Sequence, residues 1–273
     1  MATKLFTSTD SDLILEDVLT RIEESKQLTQ VLTFPCHELH LSKARQLYQL
    51  ISSVNDYSQY MASSVVDWIH ASNRIEFAGF KDKSDTEATL LTLPTTTQQE
   101  REVTQTFQLL KETYTDNKDG REFDHLKILK WHQVLCFNLL QHPDHVGAFR
   151  TLDVKVRSNF SPSGEHIFPH HTVVQDQIQK LCRLTFQVQR ILKKYQEDPV
   201  EALLWQFALA GFVQFHFVHI HPFVDGNGRM CRFLSKYILD AVCPVPFPMF
   251  KVRDVYFETL EVGRILAKSD ALL

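Results

Sequence analysis

Glycine is nearly missing from this chain, with 8 residues in 273. Two of them, Gly226 and Gly228, fall within three positions of each other. A chain that avoids glycine elsewhere has a backbone reason for such a pair. Cysteine is also sparse: Cys36, Cys136, Cys182, Cys231 and Cys243 are an odd number with no CxxC pair. That excludes a disulfide framework or a cysteine zinc site as the organising device and makes a reducing, cytoplasmic compartment the expectation. No basic excess exists, since the formal net charge is -4, so nucleic acid is not an expected partner. The N-terminus carries no apolar core of signal-peptide type. The most apolar stretch, Ala202 to Val213, contains Gln206 and reads as a buried core helix too short to span a membrane. Neither repeats nor low-complexity tracts occur.

What remains is 44% hydrophobic and 23% charged, the balance of a globular protein with a large core. Its periodicity is helical almost throughout. Leu13, Leu15, Val18, Leu19 and Ile22 mark a first helix. Ala44, Leu47, Leu50, Ile51 and Val54 mark a second that runs on toward Val65, Trp68 and Ile69. Ser84 to Glu87 and Thr97 to Glu100 both read as capping boxes. The polar stretch Asp116 to Gly120 suggests a boundary between an N-terminal helical region, 1–119, and a core, 120–273. Asp124 is expected to cap a helix through Leu140. Leu152, Val154 and Val156 then alternate with polar residues, Ser161-Pro-Ser-Gly164 turns the chain, and Glu165 to Phe168 returns as a hairpin. Val174 to Ile191 keeps helical spacing. Asp198-Pro-Val-Glu201 opens a helix that is apolar nearly all round through Phe217, as a central helix should be. Phe233 to Ile238 marks a further helix, the prolines of Cys243 to Phe250 end it, and Arg253 to Lys268 reads as the last. The expected fold is all-α with one β-hairpin.

Chemistry concentrates in His221-Pro-Phe-Val-Asp-Gly-Asn-Gly-Arg229, followed by Met230-Cys-Arg232. Two glycines around Asn227 let backbone N–H groups converge on one point, and the helix that follows adds its positive end. That is an anion site suited to phosphate. Arg229 and Arg232, three apart, share a helix face and can clamp phosphate oxygens. Asp225 offers a hard oxygen to Mg²⁺. His221, at the mouth of the loop, can take a proton near neutral pH. Any one of these residues alone would pass for a glycine-containing helix start beside a buried histidine. All of them within twelve positions do not.

The segment resembles the signature of the Fic domains, His-x-Phe-x-(Asp/Glu)-Gly-Asn-Gly-(Arg/Lys)-x-x-Arg, at every fixed position. Gly147-Ala-Phe-Arg150, Val154, Val156 and Ile167-Phe-Pro169 resemble the stretch leading into that family's flap hairpin. The likeness covers roughly residues 120 to 245 and implies a protein adenylyltransferase. His221 would be the general base and Asp225 would hold Mg²⁺. Gly226, Asn227, Gly228 and Arg229 would cradle the phosphates of ATP, and Arg232 would reach the terminal one. The substrates implied are proteins bearing Ser, Thr or Tyr hydroxyls, and a homo-oligomer is compatible with this reading.

Ser72-Asn-Arg-Ile-Glu76 is similar to the inhibitory motif (Ser/Thr)-x-x-x-Glu-(Gly/Asn), on a helix expected over about 64–77. Phe77 departs from it. The resemblance implies that Glu76 pairs with Arg232 in the place of the γ-phosphate. Removal of AMP on the same site, transfer of another phosphate-containing group, and a non-catalytic nucleotide-binding scaffold are the rival readings. Gly228 argues against the family's kinase branch, which carries lysine there. A histidine zinc hydrolase is a further rival, built on the His-x-x-His-x-His run of His216, His219 and His221; His166, His170 and His171 are further histidines after the hairpin turn. No HExxH motif or carboxylate triad is visible beside them, and His216 and His219 read as structural.

Overall fold

The computed structural model describes residues 15, 19–20, 37–53, 57–115, 123–157, 164–192, 198–240, 256–258 and 260. Eight α-helices carry the fold within these residues: α1 (His37–Ser52), α2 (Tyr57–Ile75), α3 (Lys83–Thr92), α4 (Gln98–Thr115), α5 (His125–Cys136), α6 (Val174–Leu192), α7 (Pro199–Ile220) and α8 (Asn227–Leu239). Between α5 and α6, strands β1 (Lys155–Arg157) and β2 (Glu165–Ile167) form an antiparallel hairpin with Val156 opposite His166. The fold is therefore helical with one small hairpin, as expected.

Helix α7 is the axis. Asp198 caps it by accepting from the N–H groups of Val200 and Glu201, and Pro199 fills its first position. With few polar residues to present, it buries Leu203, Leu209, Val213, Phe217 and Ile220, and α8, α6 and α1 pack around it. The helix is longer than its most apolar stretch. Its 22 residues would suffice by length and composition to cross a membrane, but it forms the core here. Helix α8 is buried from Arg229 to Leu239. Trp131 of α5 seals its far side, with ring centroids 5.2 Å from Phe233 and 4.9 Å from Tyr237.

Several local expectations change. The second helix is two, α1 and α2, with Ser53 between them among the described residues. The capping box at Ser84 does not form, because α3 starts two residues earlier, with Asp82 at its N-cap. Glu87 instead faces Lys83, which also pairs with Asp67. The box at Thr97 does form: Glu100 N–H donates to the Thr97 hydroxyl (3.2 Å) and the Glu100 carboxylate accepts from the Thr97 N–H (2.8 Å). Asp124 caps α5, but the helix stops at Cys136, before Asn138 turns with positive φ. Leu15 and Leu19 are helical or buried as the first pattern requires. The rest of that pattern, the Asp116 to Gly120 boundary, the Ser161-Pro-Ser turn, the Cys243 to Phe250 prolines and most of the last helix lie outside the described residues.

Candidate active site

The signature segment links the end of α7 to the start of α8. His221 closes α7 in the left-handed region, φ 51°, with its N–H on the Phe217 carbonyl. Its ring stacks on Phe168 of the hairpin's return leg, with centroids 3.8 Å apart and planes 15° apart. Nδ1 lies 3.2 Å from the Val218 carbonyl. That bond requires the proton on Nδ1, which makes Nε2 the basic nitrogen.

Between His221 and the helix the loop is closed by Asn227, and here the structure refines the expectation. The Asn227 side chain accepts from Phe223 N–H (2.9 Å) and donates to Phe223 C=O (2.8 Å). Its amide is thus used in shaping the loop, and only its backbone can face a phosphate. Gly226 follows the same logic. Its φ is +80°, and a Cβ there would meet Cys136 Sγ at 2.7 Å and His132 Nε2 at 3.1 Å. The Asp225 carboxylate accepts from the Gly226 N–H.

Two residues outside the signature hold this loop in place, and the sequence reading missed both roles. His132 of α5 is fully buried and stacks on Phe223 at 3.7 Å. Nδ1 accepts from Gly147 N–H (3.0 Å), so Nε2 carries the proton and donates to Asp225 C=O (3.0 Å). Burial pushes its pKa down to about 4, only partly offset by the Asp225 carbonyl, which fixes the neutral tautomer this bridge needs. Arg150 is the second. Its guanidinium donates to the carbonyls of His221 (2.8 Å), Leu152 (2.9 Å) and Pro169, tying both legs of the hairpin to the signature loop. No spacing rule announces either role, because each is made by partners dozens of residues away.

Arg229 and Arg232 project from the first turns of α8. Arg232 is completely buried, and Tyr256 lies 5.5 Å below its guanidinium. It reaches α2: Nε donates to Ser72 Oγ (3.1 Å), Nη2 to Ser72 C=O (2.9 Å) and Nη1 to Glu76 Oε1 (2.8 Å). Burial is the largest single influence on Arg232 and weighs against its charge, but the Glu76 carboxylate together with Tyr256 and Cys231 outweighs it, so its pKa is raised. The Glu76 carboxylate lies directly over Gly228, where any side chain would collide with it. A cavity of about 220 Å³ opens beside this contact, lined by Glu76, Gln98, Glu102, Asp225, Gly228 and Arg229. Arg229, one of its lining residues, has Nη1 buried without a hydrogen-bond partner among the described residues.

Phe77, the departure from the inhibitory motif, takes the conformation glycine would take. Its φ is +57°. Phe77 N–H bonds Arg74 C=O (3.2 Å) and Ala78 N–H bonds Asn73 C=O (2.9 Å), the paired bonds of a Schellman helix end. The Phe77 ring is left 69% exposed.

The structure thus brings Ser72, Glu76, Asp225, Gly226, Asn227, Gly228, Arg229 and Arg232 to one place, with His221 at the edge of the same loop. His216 is buried, and burial lowers its pKa to about 3, so it is a neutral core residue. His170 and His171 lie beside a carboxylate, Asp153.

This arrangement of a helix-start anion loop, a histidine and paired arginines is that of a Fic domain. Residues 122–239, a little under half of the chain, match the family described as Fic/DOC. A Fido domain-containing protein of Dictyostelium discoideum is 34% identical over 74 residues, 27% of this chain and 52% of that protein, so the match spans about half of that relative. A Fic family protein from Desulfovibrio desulfuricans superposes with TM-score 0.57 at 19% identity, covering 97% of this chain and 69% of the other. Fic-1 from C. elegans gives TM-score 0.59 at 19% identity, covering 83% and 64%. At these identities the likeness to solved structures is one of fold.

Proposed function

We propose that this protein transfers AMP from ATP to hydroxyl side chains of other proteins and that Glu76 holds the reaction in check. The match of residues 122–239 to the Fic/DOC family supports the class, since Fic proteins are commonly AMP-transferring or related transferases. The observation that carries the reading is the Glu76 carboxylate seated on Arg232 at the start of α8, an anion on a guanidinium built for one.

The residues fit a nucleotide with Mg²⁺. Arg229 Nη1 offers an unused buried donor, Gly228 leaves room for a phosphate once Glu76 moves, and the helix start supplies N–H groups and a positive end. Asp225 would hold Mg²⁺, which neutralises phosphate charge when bound. In the proposed step His221 Nε2 removes the proton of the target hydroxyl. The oxygen attacks the α-phosphorus, a new P–O bond forms, and the bond to pyrophosphate breaks in line with it. The proton ends on His221, and pyrophosphate carries the leaving charge. Arg229 and the α8 start stabilise that charge, and most of the acceleration comes from positioning. The target segment would lie along the hairpin as an added strand, which brings its hydroxyl to the side of Phe168 and His221.

Incubation with α-labelled ATP and Mg²⁺ tests the reading, comparing wild type, Glu76→Gly and Glu76→Gly with His221→Ala. Strong labelling by the single variant and none by the double variant is expected, because loss of a general base costs on the order of 10²–10⁴-fold. Equal labelling by wild type and Glu76→Gly would refute inhibition. No α-label transfer by any form would refute the transferase.

A further inference from the structure

Three potential metal ligands meet where the two legs of the hairpin leave the core. Asp153 precedes β1, and His170 and His171 follow β2. His171 Nδ1 lies 3.0 Å from Asp153 Oδ1, and His170 Nε2 lies 3.4 Å from Asp153 Oδ2. One ligand atom from each residue falls within 4.8 Å of the others. Ligand atoms at 2.0–2.1 Å from a tetrahedral Zn²⁺ stand about 3.3 Å apart. The two histidines meet different oxygens of Asp153, so each pair already stands at that spacing, and the three atoms draw from within 4.8 Å onto one ion by a turn of the carboxylate and an imidazole.

The surroundings suit a site rather than a chance meeting. Thr172 holds the other nitrogen of His170: its hydroxyl lies 2.8 Å from Nδ1, the kind of outer contact that orients a ligating imidazole. Asp153 is fixed by the His171 backbone N–H at 2.9 Å. Arg150 bonds the carbonyls of Leu152 and Pro169, one residue outside the triad on each leg, so the frame is rigid before any ion arrives. The three side chains are partly exposed, leaving a face open for water as a fourth ligand. The one opposing feature is Arg150 Nη1, 3.8 Å from Asp153 Oδ1.

We propose that Asp153, His170 and His171 bind a divalent transition-metal ion of the Zn²⁺ type, which clasps the base of the hairpin. Two imidazoles and a carboxylate favour such an ion over Mg²⁺, which prefers oxygen ligands. On binding, the proton of His171 moves from Nδ1 to Nε2 and that of His170 from Nε2 to Nδ1, where the Thr172 hydroxyl accepts it, and the His–Asp hydrogen bonds give way to bonds through the ion. The site is separate from Asp225 and shares no residue with the signature loop. His170 and His171 follow closely on Phe168, which stacks on His221, so occupancy bears on how firmly that ring is held.

The test uses the full chain without a histidine tag, stripped with chelator and exchanged into chelator-free buffer. Co²⁺ is titrated first, followed by displacement with Zn²⁺. One ion per chain is expected, with the visible bands of a four-coordinate Co²⁺ centre that Mg²⁺ does not displace. His171→Ala and Asp153→Asn should each weaken Zn²⁺ binding by at least ~10-fold. In the unmutated protein, Zn²⁺ should slow hydrogen exchange at residues 153–157 and 165–171. That readout stands even where a variant fails to fold. Absence of binding at micromolar ion, binding undiminished in both variants, or protection confined to other segments would overturn the proposal.

Discussion

Ser72 receives two hydrogen bonds from Arg232, one at its hydroxyl (3.1 Å) and one at its carbonyl (2.9 Å). Only the first depends on the serine side chain. Ser72→Ala should leave Arg232 held by the backbone and by Glu76, with one buried N–H orphaned. A loss of about 1–3 kcal/mol in unfolding free energy is expected. Labelling from α-labelled ATP should rise less than in Glu76→Gly, because the competing carboxylate stays. Chemical denaturation and the labelling assay on the same samples check both. A Ser72→Ala protein of unchanged stability would show that the hydroxyl is idle.

Phe77 sits at +57° where glycine would rest without strain. For a side chain the left-handed region costs roughly 1–2 kcal/mol, part of which glycine gives back through its freer unfolded chain. At 69% exposure, burial of the ring offsets only part of that cost. Phe77→Gly should therefore stabilise the protein by about 0.5–1 kcal/mol, a rise of about 1–4 °C in Tm. Since Phe77 ends the helix that carries Glu76, basal labelling should fall. Phe77→Val should move both quantities the other way. Thermal melts of the two variants decide it, and parallel shifts would contradict the account.

His132 ties acid stability to the site. Its pKa is about 4 in the folded chain against an ordinary 6.5. The unfolded chain thus takes up a proton between those values that the folded chain resists. Stability is fully present above about pH 6.5 and is lost as pH falls toward 4, by up to about 3 kcal/mol from this group on the linkage scale. Urea unfolding between pH 7.5 and 4 should show the decline, with a shallower slope in His132→Gln. His216, held near 3 by burial, adds to the background in both proteins. Equal slopes would remove His132 as a source.

What the sequence makes legible follows from distance along the chain. The Thr97 box, the Asp198 cap and the Gly226-Asn-Gly228 loop are local patterns, and the structure contains each of them. The role of Asn227 was not legible, because a phosphate cradle and a loop-closing amide ask for the same residue at the same spacing. His132 and Arg150 were hidden for another reason. Their partners, Asp225 and His221, lie 93 and 71 residues away, and nothing in either residue's neighbours marks it. Phe77 reads as an exception to a motif until its φ shows that the backbone rule was kept and only the residue changed.

Gly228 and Glu76 offer the sharpest test of the inhibitory contact. A methyl group at 228 would overlap the Glu76 carboxylate, whose Oε1 is bound to Arg232 Nη1 at 2.8 Å. Gly228→Ala in the wild-type background must push Glu76 off that position or strain the start of α8, a misfit of about 1–3 kcal/mol by the usual scale of overpacking. With glycine at 76 the methyl meets only the end of Arg232, so the same substitution should be nearly neutral there. The interaction energy of the double-mutant cycle is then of the same size as the single penalty, well above the few tenths of a kcal/mol expected of independent sites. Activity separates the causes. If Gly228→Ala displaces Glu76 without spoiling the loop, labelling by the single variant should rise above wild type. If the methyl itself blocks the phosphates, Gly228→Ala with Glu76→Gly should label less than Glu76→Gly alone. Additive stabilities across the cycle would mean that Glu76 does not occupy the space over Gly228 in solution, and the autoinhibitory reading would fall with it.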